Sequence, residues 1–247
     1  WQMLPITPPD EHGSPYASPS AFAAWDSLGQ SLRLDLDEEA YWLEDWLLYE
    51  AIKEKFDGRP WFEWPEEYRD RHPSALATIT TDSKKQSRFM GRWKEVQDYA
   101  VSKNVSLIGD LPIFVAHDSA DVWAHRELFL LDSEGMPEVV AGVPPDYFSE
   151  DGQKWGTVLY DWDAHRSENW RWWKERMARM MRLFDIVRID HFRGFHSAWA
   201  IPASDGNARN GKWLEGPKDE LISALIEVCG DHDCIIAEDL GIIPKEV

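Results

Sequence analysis

The sequence predicts an α/β fold whose parallel strands form a barrel, on three observations. Strand-like and helix-like runs alternate along the chain. Its 247 residues match the length of one such barrel, roughly 250 residues. Three strand-like runs end in a carboxylate: Ser106-Leu-Ile-Gly-Asp110, Ile186-Val-Arg-Ile-Asp190 and Ile235-Ile-Ala-Glu238. A parallel barrel brings the C-terminal ends of its strands to one mouth, so these acids would converge there.

Taken in order, the first strand is expected at Gln2–Ile6, followed by a Pro-, Gly- and Ser-rich loop over Thr7–Ser20. A helical insertion occupies 24–103. Within it, Glu38–Phe56 carries Leu43, Trp46, Leu47, Ile52 and Phe56 near helical spacing and stops before Gly58 and Pro60. Trp61–Pro73 reads as irregular. Lys84–Lys103 places Phe89, Trp93, Val96 and Ala100 on one face and leads into a short strand, Val105–Gly109. Residues 112–163 read as a long active-site loop region, a length that is functional or hides short elements. A helix is expected over Glu168–Phe184 with Ser167 as its N-cap, then a strand over Asp185–Ile189. A helix over Pro217–Cys229 starts at Pro217 and stops at Gly230, and a buried strand follows over Cys234–Ala237. The count reaches about five barrel strands where closure needs eight. Trp1 opens inside an apolar run, and Pro244–Val247 reads as a helical turn that does not continue. Both ends therefore read as cut, and 1–247 reads as an incomplete catalytic barrel.

A formal net charge of −19 argues against nucleic acid and anionic membrane surfaces as partners and suits a neutral polar substrate such as a sugar. No apolar run approaches a membrane span in length. Cys229 and Cys234 make no disulfide framework, so a cytoplasmic, reducing setting is expected. With His232 they match no zinc spacing, and they read as a helix-end and a buried strand cysteine. His117 and His125 flank the acidic run Asp118–Asp121, which reads as a solvated loop. The Trp170-Arg-Trp-Trp173 cluster has core spacing.

Two converging carboxylates with separable pKa values are what glycosidic bond cleavage needs. Single acids at strand ends equally often cap the next turn. Arg188 adds weight: two residues before Asp190 in a strand, it shares that residue's face and would hold the carboxylate ionised. Chemistry alone reaches a barrel enzyme with an acidic site.

Longer strings go further. Trp1-Gln-Met-Leu-Pro-Ile6, Gly13-Ser-Pro-Tyr-Ala-Ser18, Trp42-Leu-Glu-Asp45 and Ile108-Gly-Asp-Leu-Pro-Ile-Phe-Val115 lie in the first half. Asp118–His125, Val140-Ala-Gly-Val-Pro-Pro-Asp-Tyr-Phe-Ser149, Val187-Arg-Ile-Asp-His-Phe-Arg-Gly-Phe195 and Ala237-Glu-Asp-Leu-Gly241 follow. In this order they resemble the amylomaltases and plant disproportionating enzymes of glycoside hydrolase family 77, over nearly the whole chain. The resemblance implies a (β/α)8 TIM barrel and retaining transfer of α-1,4-glucan through a covalent glucosyl-Asp intermediate, without cofactor or metal. It implies Asp190 as nucleophile and Glu238 as general acid/base, with Arg188 and His191 in support. Ser14, Tyr16, Asp110, Asp146 and Trp155 match substrate-lining positions, and the loop Gly142–Ser149 matches one that curls over the cleft. Thr157-Val-Leu-Tyr160 stands where the family has Asn-Pro-Leu-Tyr. The family's third carboxylate would lie beyond Val247. A hydrolase of the α-amylase clan and a catalytically incomplete carbohydrate-binding fragment are the rival readings. A plastid is the alternative location if the source is a plant.

Overall fold

The computed structural model describes residues 1–29, 40–147, 149–239 and 245. Its centre is a parallel sheet of three strands in the order β1 (Ile108–Pro112), β4 (Ile186–Asp190), β7 (Ile235–Ala237). Outside β1, Gln2 forms a parallel bridge to Ile108, with the Ile108 N–H donating to Trp1 O at 2.8 Å and the Met3 N–H to Ile108 O at 3.1 Å. Four chain segments thus add in sequence order across one wall, as consecutive barrel strands do. Among the described residues this replaces the count of about five. The expected strand Gln2–Ile6 contracts to that bridge, since Pro5 has no N–H to give a ladder.

The first central strand sits three residues later than expected. The Leu107 N–H donates to the Asp185 carboxylate at 2.8 Å, and the Asp185 N–H donates back to Leu107 O at 3.0 Å. That exchange stands just before both strands and sets the register Gly109↔Val187, Asp110↔Arg188, Leu111↔Ile189. Asp110 consequently lies inside β1 and not at its end. Residues paired in register share a face. Leu111, Val187 and Ile189 are buried against the helical side, and Gly109 lets the Phe184 ring close in: a Cβ there would meet it at 2.2 Å. Asp110, Arg188 and Asp190 face the other way.

Residues 112–163 are not a bare loop. They hold α5 (Ala120–Ala124), β2 (Val139–Val143) and β3 (Gln153–Val158). A second sheet forms in the order β3-β2-β5-β6, with β5 at Ser197–Pro202 and β6 at Lys212–Glu215, all antiparallel. Val115, just past β1, bridges Val158, which seats this sheet beside the C-terminal ends of the parallel strands. The acidic run in this stretch is packed rather than solvated. Asp121 is buried and accepts the Ala21 N–H at 2.8 Å; Asp118 accepts from the Tyr49 hydroxyl at 2.7 Å. His117 stacks on Phe62 at 4.5 Å and His125 on Tyr41 at 5.3 Å.

The helices hold where periodicity is long and shift where turn chemistry intervenes. α1 spans Leu43–Lys55; residues 38 and 39 of its expected start lie outside the described residues. Trp61–Pro73, read as irregular, contains α2 (Glu66–Arg69), and α3 (Pro73–Leu76) follows. α4 spans Lys84–Ser102. The helix expected over Glu168–Phe184 begins three residues later, as α7 (Arg171–Leu183), because Asn169 and Trp170 both take positive φ, and a separate short helix, α6 (Trp162–Ser167), precedes it. Ser167 therefore ends a helix: its hydroxyl bonds Ala164 O, and Glu168 Oε1 accepts the Trp172 N–H at 3.0 Å. Trp172 and Trp173 are fully buried. α8 starts at Asp219, not Pro217, because Lys218 has φ 51°, and it ends at Gly230 (φ 81°). β7 is paired on one side among the described residues, so Ile236 is 40% exposed rather than buried. The expected turn at 244–247 lies outside the described residues save Lys245.

The cysteines stand as expected, Cys229 at the helix end and Cys234 buried just before the strand, but the two are paired. Cys229, the last residue of α8, and Cys234 form a disulfide with Cα atoms 6.3 Å apart, inside the range a bridge requires. The sequence reading stopped at the small number of cysteines. The turn at Gly230–Asp231 that folds one onto the other has no periodic signature.

Candidate active site

Register builds the core of the site. Asp110 on β1 stands directly beside Arg188 on β4, and Glu238 follows β7 by one residue, its N–H donating to Ile189 O at 3.2 Å. The Arg188 guanidinium donates to three carboxylates. Nη1 bonds Asp110 Oδ1; Nη2 bonds Asp190 Oδ1 at 3.0 Å and Glu238 Oε1 at 2.9 Å. Asp190 and Glu238 share one nitrogen, so those two oxygens lie within about 6 Å, beside the roughly 5–5.5 Å of a retaining carboxylate pair. The other Glu238 oxygen, Oε2, accepts the His191 backbone N–H. That N–H points inward because His191 adopts the left-handed region, φ 52° and ψ 45°. For a non-glycine residue this costs about 1–3 kcal/mol and persists where surrounding structure demands it.

The loop Thr7–Ser20 supplies a fourth contact. Asp10 Oδ1 accepts the Ser14 N–H at 2.7 Å, and Ser14 caps the 3-10 turn Pro15–Ala17. The turn aims the Tyr16 hydroxyl at Asp110 Oδ2, 2.7 Å away. Burial and the Asp110 hydrogen bond push the Tyr16 pKa well up, so it stays a donor.

Three carboxylates around one guanidinium alter the expected electrostatics. The Asp190 pKa is raised, first by burial, then by the charges of Glu238 and Asp110; Arg188 opposes these without overcoming them. Arg188 does favour the ionised Asp190, as the sequence reading expects, but its cation is shared three ways and the net direction is upward. Burial also lowers His191 to about 4, so its ring is neutral at physiological pH.

A cleft of about 420 Å³ opens over this cluster. Ser14, Tyr16, Trp155, Asp190 and His191 line it, as do Phe114 and Thr157. A bulge delivers Trp155. Val140 pairs with Val158 but Gly142 with Lys154, so β3 accommodates two extra residues around Gly156, φ 79°. The Trp155 ring stands edge-on to His191 at 4.9 Å and is 38% exposed. Asp146 does not line the cleft; it sits exposed in the loop after β2, where its carboxylate accepts the Ser149 N–H at 2.8 Å. Sequence reasoning missed Phe114, whose place in an apolar run reads as core. Thr157 was noticed only as a departure, and its buried Oγ1 has no partner among the described residues. Among those residues no cluster of three His, Cys, Asp or Glu side chains could hold a metal ion.

Residues 26–247 match the family model described as 4-alpha-glucanotransferase, glycoside hydrolase family 77. The chain belongs to this family. It is 38% identical over 307 residues to the 4-alpha-glucanotransferase of Thermus thermophilus, an alignment covering all of this chain and 61% of that protein. It is 37% identical over 315 residues to the chloroplastic/amyloplastic enzyme of Arabidopsis thaliana, covering all of this chain and 54% of the relative. Among solved structures, the amylomaltase of Streptococcus agalactiae in complex with acarbose superposes with a TM-score of 0.86 at 31% identity. That match covers 99% of this chain and 62% of the other. This family member thus spans a little over half the length of the relatives it matches. Both curated alignments are longer than the chain, so the relatives carry segments with no counterpart here.

Proposed function

We propose that the protein carrying this chain transfers α-1,4-glucan segments between maltooligosaccharides or starch and glycogen chains, with retention at the anomeric carbon. One observation carries the reading: a single nitrogen of Arg188 holds Asp190 and Glu238 together beside an open cleft. Of the three clustered carboxylates, Asp190 is the one lining that cleft, and it attacks the anomeric carbon. Glu238, protonated, gives its proton to the leaving glycosidic oxygen, and a glucosyl ester forms on Asp190. Glu238 then takes the proton from the 4-OH of an acceptor glucan, which displaces Asp190 and restores both carboxyls. Arg188 and the His191 N–H orient the pair. Asp110 anchors Arg188, and Ser14, Tyr16 and Trp155 shape the sugar site. Residues 1–247 belong to one catalytic barrel, with a helical insertion at 24–103 and cleft-side elements at 112–163. We place the enzyme in the cytoplasm or a plastid; relatives described as chloroplastic favour the latter for a plant source.

Full-length protein incubated with maltotriose tests the reading. A ladder of longer and shorter oligosaccharides is expected, lost in both Asp190→Asn and Glu238→Gln. Glucose and maltose alone would mark a hydrolase, and unchanged maltotriose a binding fragment.

A further inference from the structure

We infer that Cys229 and Cys234 form a thiol–disulfide exchange site, served by a dithiol reductant, that governs how firmly the strand bearing Glu238 is held. The bond is unlike a structural staple. It closes a loop of sequence separation 5, and so short a loop restricts the unfolded chain least. Within these 247 residues the pair stands alone, whereas disulfide-stabilised folds carry several. Isolated pairs of this kind in a reducing compartment are characteristically transient and redox-sensing.

Its placement gives it an effect. Cys229 is the last residue of α8, whose Leu221 and Leu225 are buried in the core. Cys234 is followed immediately by β7, and the end of that strand immediately by Glu238. β7 is three residues long and, among the described residues, bonded only to β4. The disulfide is therefore the covalent tie between a core-anchored helix and the entry to the short strand that leads to Glu238. Glu238 must hold its two oxygens against Arg188 Nη2 and the His191 N–H. A small slip of β7 moves it away from both.

The turn is also built for reversibility. Gly230 in the left-handed region donates its N–H to Ile226 O at 2.8 Å, and the Asp231 side chain accepts the Asp233 N–H at 3.2 Å. These backbone bonds hold the turn, so the sulfurs can meet again after reduction, but they do not hold β7, which begins after Cys234. Cys234 is 8% exposed, while Cys229 is only partly buried. A reductant thiolate attacks Cys229 Sγ, the S–S bond breaks, and Cys234 leaves as a thiolate that takes a proton from water. The reductant's second thiol then attacks the mixed disulfide and releases Cys229. Two electrons and two protons pass to the protein, and the reductant departs as its own disulfide.

The test equilibrates full-length protein with graded ratios of reduced and oxidised dithiothreitol. Thiols are alkylated and the peptide containing Cys229 and Cys234 is weighed. A single two-electron step from no alkyl group to two is expected. Along the same curve Tm should fall by about 2–6 °C on reduction. The kcat for glucan transfer should fall by about tenfold to a hundredfold with KM little changed, as for a displaced catalytic group. The doubly substituted C229S/C234S protein should show the reduced values at every ratio. Two free thiols at every ratio would overturn the inference, as would a Tm and kcat that ignore the thiol count. Thiol count and Tm need no glucan, so a failure of the proposed activity is distinguishable from a failure of the switch.

Discussion

Arg188→Met is the most informative single change, because it removes the cation and keeps most of the side-chain volume. In the wild type one guanidinium bonds Asp110, Asp190 and Glu238. Without it, Asp190 loses the attraction of a unit charge about 5 Å from its own, about 3 kcal/mol at an effective dielectric constant of 20. That corresponds to about two pKa units, reduced by salt. The sign is fixed: Arg188 is the main influence lowering Asp190, so its loss raises the Asp190 pKa further and protonates the nucleophile at higher pH. The acid limb of kcat for maltotriose disproportionation by full-length protein should move up by about 1–2 units. Activity at neutral pH should fall by at least about tenfold to a hundredfold and recover in part as pH rises. Arg188→Lys should lie between, since an ammonium keeps the charge but lacks the planar fork that reaches three partners. An acid limb that stays in place, in a protein with wild-type Tm, would refute the shared-cation argument.

Two further outcomes follow from the same geometry. Asp190→Asn should abolish transfer yet raise Tm at neutral pH. A raised carboxyl pKa means stability is fully present below the unfolded value near 3.8 and is lost as pH rises through the folded pKa; thermal melts should therefore show the gain at pH 7 and none below pH 3.8, and a lower Tm at pH 7 would contradict the burial argument. Trp155→Ala removes a ring 38% exposed in the cleft, so covering that area with a sugar is worth about 1.5–2.5 kcal/mol; KM for maltotriose should rise by about tenfold to sixtyfold, and an unchanged KM would remove Trp155 from the sugar site.

Those features were legible in the sequence that rest on long-range repetition or strand-end chemistry. The hydrophobic face of Lys84–Ser102, the carboxylates at 110, 190 and 238, and the shared face of Arg188 and Asp190 all came from spacing alone. What escaped was set by single backbone choices. Positive φ at Asn169 and Trp170 delays one expected helix to Arg171, and a positive φ at Lys218 delays another to Asp219. Trp and Lys do not announce a positive φ, and a single Asn signals it only weakly. The Leu107–Asp185 exchange moves β1 by three residues, a tertiary contact no local pattern encodes. The second sheet was hidden in residues 112–163 because its strands are short and its bulge at Gly156 breaks the alternation that marks a strand. The Asp190 electrostatics were misjudged for a related reason: pairwise reading assigned Arg188 to one neighbour, and the fold assigns it to three.

That sharing bears on rate. With Glu238 protonated, Asp110 and Asp190 still carry two negative charges against the one positive charge of Arg188, in a site where burial already disfavours charge. The free enzyme therefore holds Asp190 under electrostatic stress, at a cost in stability that active sites commonly bear. In the proposed reaction, positive charge develops at the anomeric carbon as the glycosidic bond breaks. The surplus negative charge is then matched for the first time, and it is matched most fully at the transition state. Glu238 relinquishes its proton at the same moment, so its new charge arises next to Arg188 and the His191 N–H, donors already in place. Interactions stronger in the transition state than in the ground state are those that raise kcat. The register Asp110↔Arg188 across β1 and β4 supplies them by placing one cation where it moderates three acids without neutralising them.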